Sequence, residues 1–286
     1  MGSGSTELIY LFVEVFLNGE DDVVIPIPMF NEYNKATMKM GGSPLFLKCN
    51  STENFHLDLE KLEKAISKKT RIIFLCNPNS PTGKLYEKED VLHIVRLAAE
   101  KNVLVFLDED YVEFVDDAKR YSMAEYVTRY NNLFVLRSLT KFFGLAGLRM
   151  GFGIASSDVV DALKRAKMPW TVNTLAMFAA KAAVQDDDFI KRSRLLISRG
   201  KKQMQKMFQE LPWLKVYPSE TNFFLVEITK GSLTSTQIKE RLEKKGILIR
   251  DCCDFDGLNN RFFRVSVNKP EKNKKLIEYL KLFVNS

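Results

Sequence analysis

The sequence predicts an α/β fold, a mostly parallel sheet with helices on both faces, followed by a smaller C-terminal α+β domain. Three observations predict it. Residues 20–155 alternate strand-length apolar runs with helical stretches, the pattern of a parallel sheet with right-handed crossovers. The runs at 71–76, 103–107 and 133–136 are almost continuously apolar, as strands buried on both faces are. From about residue 186 the texture changes to a long charged helix and short strands, which divides the chain into a large domain, 1–185, and a small one, 186–286.

The totals bound the rest. A chain of 286 residues, 45% apolar and 28% charged, is an ordinary globular composition with enough length for a large core. No uncharged apolar stretch reaches the length of about 18 residues that a membrane span needs, so no membrane association is expected. The first six residues lack the basic and apolar regions of a signal peptide. Cysteines 49, 76, 252 and 253 have no metal-like spacing, and the adjacent pair Cys252 and Cys253 is poorly placed for a disulfide. No metal is expected, and the usage fits a cytoplasmic, reducing location. The net charge of +7 is spread over helices. It reads as a solvated basic surface or a mild pull on anionic substrates, and no basic stripe with interleaved aromatics suggests nucleic acid.

In order, Gly4, Ser5, Thr6 and Glu7 open a helix to about residue 17. Small residues and hydroxyls at a helix start leave free N–H groups for an anion, and the same residues equally suit an appended leader. A strand at 21–26 closes on prolines. A helix begins over 29–33, where Phe30 is either core or a ring to stack on a planar ligand. Residues 45–47 are a short strand, and 58–66 an amphipathic helix with Leu59, Leu62 and Ile66 on one face. The strand at 71–76 runs into a turn, 77–83, in which Asn77, Asn79, Ser80 and Thr82 sit among Pro78, Pro81 and Gly83. Proline and glycine serve the turn, while the polar side chains suit ligand contact beyond a strand's carboxyl end. A helix follows over 87–101. The strand at 103–107 ends in Asp108, Glu109, Asp110 and Tyr111. This is either an acidic loop or a place for a carboxylate to pair with a protonated ring nitrogen and a phenol to reach a ligand oxygen.

The strand at 133–136 leads into Arg137, Ser138, Leu139, Thr140, Lys141, Phe142 and Phe143, with Arg149 eight residues beyond the lysine. Set among Phe142, Phe143 and Leu145, Lys141 is expected to be partly desolvated, which disfavours its charged form and makes it a better nucleophile. Hydroxyls at 138 and 140 with a nearby arginine suit a phosphate. A reactive amine beside a phosphate site asks for pyridoxal 5′-phosphate (PLP); the alternative is a surface lysine at a strand end. A further strand is expected at 150–155, a helix at 158–167, a break at Pro169, and a helix to about residue 185. In the small domain a long helix to residue 210 precedes strands near 216, 223–228, 247–250 and 262–267, with helices at 236–245 and the end. Phe263, Val265 and Val267 alternate with Arg264, Ser266 and Asn268, so Arg264 lies on the polar face. Arg264 and Arg250 are either solvated or clamps for a carboxylate or phosphate.

Taken together, the lysine segment, the Pro81-Thr82-Gly83 turn and the Asp108-to-Tyr111 strand end resemble the fold-type I PLP enzymes, the aspartate aminotransferase superfamily, over nearly the whole chain. The branch is similar to histidinol-phosphate aminotransferase and to L-threonine-O-3-phosphate decarboxylase of cobalamin biosynthesis. Residues 167–173, 249–258 and 137–142 look like the decarboxylase. The resemblance implies that Lys141 is the Schiff-base lysine, that Asp108 keeps the pyridine nitrogen protonated and that Tyr111 meets the ring oxygen. It implies Phe30 as the stacking ring, Ser5, Thr6, Ser138, Thr140 and Arg149 as phosphate ligands, and Arg250 and Arg264 as holders of a small anionic amino acid phosphate. The family has Asn immediately before Pro-Thr-Gly; here Ser80 stands there and Asn79 precedes it, leaving either to meet the ring oxygen. The resemblance also implies a homodimer and an N-terminal arm ahead of the first helix found here. A chain without that arm leaves a truncated, non-catalytic PLP-fold protein as one further expectation.

Overall fold

The computed structural model describes residues 1–283. In chain order the elements are β1 (Gly2–Ser3), α1 (Gly4–Phe16), β2 (Asp22–Ile27), α2 (Glu32–Lys39), β3 (Ser43–Lys48), α3 (Leu59–Ala65), β4 (Thr70–Cys76), α4 (Lys88–Glu100), β5 (Leu104–Asp108), α5 (Ala118–Tyr121), β6 (Leu133–Ser138), β7 (Met150–Ile154), α6 (Ser157–Ala166) and α7 (Thr174–Val184). They continue with α8 (Asp187–Phe208), β8 (Leu214–Val216), β9 (Phe223–Ile228), α9 (Ser235–Glu243), β10 (Arg250–Asp251), β11 (Phe262–Ser266) and α10 (Pro270–Lys281).

Seven strands pair in the order β1-β7-β6-β5-β4-β2-β3, parallel from β6 to β3. Their apolar runs are continuous because both faces are covered. Ile73, Leu75, Val105, Leu107, Leu133 and Val135 point to one core, while Ile72, Phe74, Phe106, Phe134 and Leu136 point to the other. Each such side chain, fully buried, contributes about 1.5–3 kcal/mol. Helix α1 lays Ile9, Phe12 and Val13 on the second core, and Phe12 meets Phe106 and Phe134 at ring-centroid distances of 5.0 Å. This packing fixes where the helix begins.

The expected strand at 150–155 is present but runs antiparallel to β6. The link from β6 to β7 carries only a short 3₁₀ turn over Ala146–Leu148, whereas a parallel return needs a crossover of about a dozen residues or more, usually a helix. Edge strand β1 was not expected; it pairs Gly2 with Gly151 and Ser3 with Met150. The second sheet is antiparallel, β10-β11-β9-β8. The strand expected over 247–250 is confined to Arg250 and Asp251, because Ile247 donates its N–H to Leu242 and completes the end of α9. Short helical turns over residues 112–128, including α5, were also not expected. Among the described residues no helix is long and apolar enough to cross a membrane.

Candidate active site

The carboxyl ends of β4, β5 and β6 open on a cleft with about 670 Å³ of free space, counting its mouth. Phe30, Tyr33, Cys76, Ser80, Asp108, Asp110, Tyr111 and Lys141 line it, together with Arg250, Asp254 and Arg264. Parallel strands whose loops converge on one edge place ligands at such a position.

Asp108, the last residue of β5, is buried. Its Oδ2 accepts the Tyr33 phenol hydrogen at 2.7 Å and its Oδ1 accepts the Asp110 amide at 2.8 Å. Burial, then the Asp110 charge, push the Asp108 carboxyl up to about 7, against the Tyr33 hydrogen bond, the Asp110 amide and the Lys141 charge. Burial also pushes Asp110 up, opposed by Lys141, Ser138 and Arg149. Tyr111 is buried and its phenol raised, an effect the Arg264 guanidinium partly offsets.

Lys141 is exposed to the cleft, contrary to the desolvation expected from its neighbours. Phe142 turns inward instead, 5.1 Å from the Phe114 ring, in a cluster with Tyr111 and Phe223, while Leu145 packs with Leu139 and Met150. The phenylalanines therefore anchor the lysine's loop and leave its amine wet.

Ser138, Thr140, Arg149, Ser5 and Thr6 do not line the cleft; they gather beside it. The Ser138 and Thr140 hydroxyls share a hydrogen bond at 2.6 Å, and Ser138 accepts the Thr140 amide at 3.0 Å. Gly4, at φ +79°, lets α1 start against Arg149: a Cβ there would stand 2.3 Å from an Arg149 guanidinium nitrogen. Phe30 lines the cleft, its ring 5.8 Å from Tyr33 and perpendicular to it. Of the two residues before Pro81, Ser80 faces the cleft and accepts from Arg264 Nη1 at 2.8 Å. Asn79 does not face it; its amide donates to Pro28 O at 3.0 Å and Thr82 Oγ1 at 2.8 Å, holding the turn together. Arg250 stands directly opposite Arg264 in the β10–β11 ladder and donates to both Asp254 oxygens, at 2.9 and 2.7 Å.

Sequence reasoning missed Tyr33 and Asp110. Both carry a usable signal: Tyr33 lies three residues after Phe30, one turn along at the same junction, and Asp110 follows Asp108 by two on a strand end.

The family model described as "Aminotransferase class I and II" matches residues 1–280. With this cleft at the edge of this sheet, the chain belongs to that family of PLP-dependent enzymes. It is 34% identical over 287 aligned positions to histidinol-phosphate aminotransferase of Methanococcus aeolicus, covering 99% of this chain and 75% of that protein. Histidinol-phosphate aminotransferase from Clostridium acetobutylicum superposes with a TM-score of 0.91 at 30% identity, covering 99% of this chain and 83% of that one. L-threonine-O-3-phosphate decarboxylase from Porphyromonas gingivalis superposes with a TM-score of 0.87 at 27% identity, covering 100% and 83%. The fold is therefore fold type I, and the cofactor is PLP. The residues fit it: an exposed primary amine and buried carboxylates share the cleft, and hydroxyls, an arginine and a helix start cluster beside them.

Proposed function

We propose that the chain decarboxylates an amino acid phosphate, with L-threonine O-3-phosphate as the substrate, in cobalamin biosynthesis. The observation that carries this reading is the pairing of Arg250 with Arg264 at the cleft that holds Lys141. Directly opposed residues of an antiparallel pair share a face, so two guanidinium groups serve one substrate. A molecule with both a carboxylate and a phosphate uses both.

In this reading Lys141 would hold the cofactor covalently, Asp108 would keep its ring nitrogen protonated, and Tyr111 and Ser80 would serve its ring oxygen. Phe30 would stack on its ring, and Ser5, Thr6, Ser138, Thr140 and Arg149 would hold its phosphate. When bound, PLP supplies an electron sink for the pair left on the substrate's α-carbon. Arg250 leaves Asp254 and Arg264 leaves Ser80 to bind the substrate's anionic groups, and their hold on the carboxylate decides which α-carbon bond is aligned for cleavage. Lys141 Nζ delivers the proton that replaces carbon dioxide.

The similarity to histidinol-phosphate aminotransferases supports a second reading, amino transfer, in which Lys141 moves the α-proton instead. Product analysis with PLP and O-phospho-L-threonine separates them. An aminopropanol phosphate formed without a keto-acid acceptor supports decarboxylation. Transfer from histidinol phosphate to 2-oxoglutarate supports the second reading, and bound cofactor with neither product supports a non-catalytic PLP-fold protein.

Self-association is part of the proposal. Trp170, Leu175 and Phe178 are 95%, 73% and 72% exposed on α7 and the loop before it, a face that a second copy would cover. Trp170→Glu with Phe178→Glu is expected to move the protein from dimer to monomer in sedimentation; an unchanged species removes this face as the interface. Cys49, Cys76, Cys252 and Cys253 are all free thiols, which supports the reducing cytoplasm as the location.

A further inference from the structure

Asp110 has no part in the roles set out above, yet it is among the most constrained groups of the cleft. It is 8% exposed, it lines the cleft, and its Oδ1 is buried without any hydrogen-bond partner. A buried carboxylate oxygen with no donor is costly, so such an orphan marks a place where another group is expected. Its neighbours come from every side. Asp108 and Tyr111 flank it along the chain, and Cys76 acts on it from the end of β4. Lys141 and Ser138 approach from the β6 end, and Arg149 from the start of β7. Lys141 is the mobile cation of this set, an exposed amine on a four-carbon stem in the same cleft, whereas Arg149 donates to Ala146 O at 3.1 Å and abuts Gly4.

We propose that Asp110 is a positioning residue for Lys141, its free oxygen holding the positive charge at Nζ inside the cleft whether the amine is free or bound to the cofactor. The inference rests on the PLP reading for its bound half only. A carboxylate beside a basic nitrogen favours the protonated form and raises the pH at which the proton leaves. With its Oδ1 unpartnered and Lys141 lining the same cleft, Asp110 gives the lysine nitrogen one place to be held. When the lysine is released, the same oxygen receives its ammonium and holds it near the reacting carbon.

The variant is Asp110→Asn, which keeps the shape and removes the charge. Two measurements follow. In the holoprotein, the pH at which the bound cofactor's visible band changes is expected to fall by about 1 to 3 units, the range for loss of an adjacent opposite charge. In the cofactor-free protein, acetic anhydride labelling of Lys141, read by peptide mass spectrometry at neutral pH, is expected to rise several-fold, because the amine is no longer held against the carboxylate. An unmoved band in a variant that holds cofactor overturns the proposal and leaves the PLP reading intact. Absence of any visible band in the unaltered protein sinks the PLP reading instead, and the labelling experiment still judges the pair: an unchanged rate overturns it. Asp110→Ala repeats both measurements should Asn supply a new hydrogen bond. A purely structural Asp110 would move the melting temperature and neither of these readouts.

Discussion

Tyr33 donates its phenol hydrogen to Asp108 Oδ2 at 2.7 Å from a side chain with no exposed surface. The ring is stacked on Phe74 at 4.7 Å and meets Phe30 edge-on, so the donor cannot swing away. A fixed donor lowers a carboxyl that burial raises, and it aims that carboxylate for whatever it faces. Tyr33→Phe removes one hydrogen bond to a carboxylate and leaves the rings in place. Above about pH 7, where Asp108 is charged, stability should drop by about 1.5–3 kcal/mol, the range for hydrogen bonds to charged groups. Cofactor affinity should weaken as Asp108 takes up a proton more readily. Urea unfolding and a cofactor titration check both; wild-type values in both would show that the hydrogen bond does neither.

The raised carboxyls give the cofactor-free protein a pH dependence of definite sign. Asp108, Asp110 and Glu109 all stand above their ordinary range, Asp108 at about 7. Between about pH 4 and pH 7 the folded protein keeps protons that the unfolded chain has lost, so stability falls as pH rises through this window. Each retained proton contributes up to about 1.4 kcal/mol per pH unit. Glu32, Asp58 and Asp251 are lowered and act only below about pH 4, outside the window, while the Met1 amine, lowered by burial, acts with the opposite sign toward pH 8 and opposes part of the slope. The melting temperature of the cofactor-free protein should therefore rise from about pH 7.5 to about pH 5.5, and Asp108→Asn should flatten part of that slope. A rise toward alkaline pH would contradict the assignment.

The strand and helix order was legible because each core strand is covered on both faces and each helix on one, which writes two distinct periods into the sequence. Ser80, Asp108, Tyr111 and Lys141 meet at one edge because they follow the parallel strands β4, β5 and β6. What was not legible is tertiary. Nothing local says that Phe142 turns toward Phe114 and Phe223 rather than over Lys141, or that Asn79 spends its amide on Pro28. The direction of β7 depends on the lack of a crossover helix after β6, and the Tyr33–Asp108 contact spans 75 positions. Asp110 stood in plain view within a run of acids, but its orphaned oxygen exists only in the packed site.

Beside the cleft, Arg137 ties the ends of β5 and β6 together. It donates to Glu109 at 2.8 Å, to Glu113 at 2.6 Å and to Ser122 at 2.9 Å, and Arg194 of α8 reaches the same Glu113 at 3.1 Å. Glu109 is 1% exposed, and the Arg137 charge is the main force opposing its burial. Arg137→Met strands that carboxylate and should destabilise by about 3–5 kcal/mol. Because Glu109 then takes up a proton, the loss should shrink at acid pH. Adding Glu109→Leu should restore much of the stability, since the isolated charge is gone. Chemical unfolding of the single and double variants decides it; a double variant as weak as the single one contradicts the argument.

Gly151 decides whether α1 can start where it does. It pairs with Gly2 across β1 and β7, and a Cβ there would stand 2.8 Å from both the Gly4 carbonyl carbon and the Ser5 nitrogen. Those are backbone atoms, and Phe12 deeper in the helix is locked among Phe16, Phe106 and Phe134, so the helix cannot slide to make room. Gly151→Ala must therefore force the first turn outward, moving Gly4 away from the Arg149 guanidinium it abuts. Overpacking of this kind costs about 1–3 kcal/mol. If the helix start and Arg149 hold the PLP phosphate as proposed, the larger effect should be on PLP affinity, because free N–H groups at a helix start bind anions. Gly147→Ala is the control: a Cβ there meets nothing within 4 Å, so it should leave both quantities unchanged. Inorganic phosphate and PLP titrations of the two variants separate the outcomes. If Gly151→Ala binds both as Gly147→Ala does, the start of α1 is not part of the anion site.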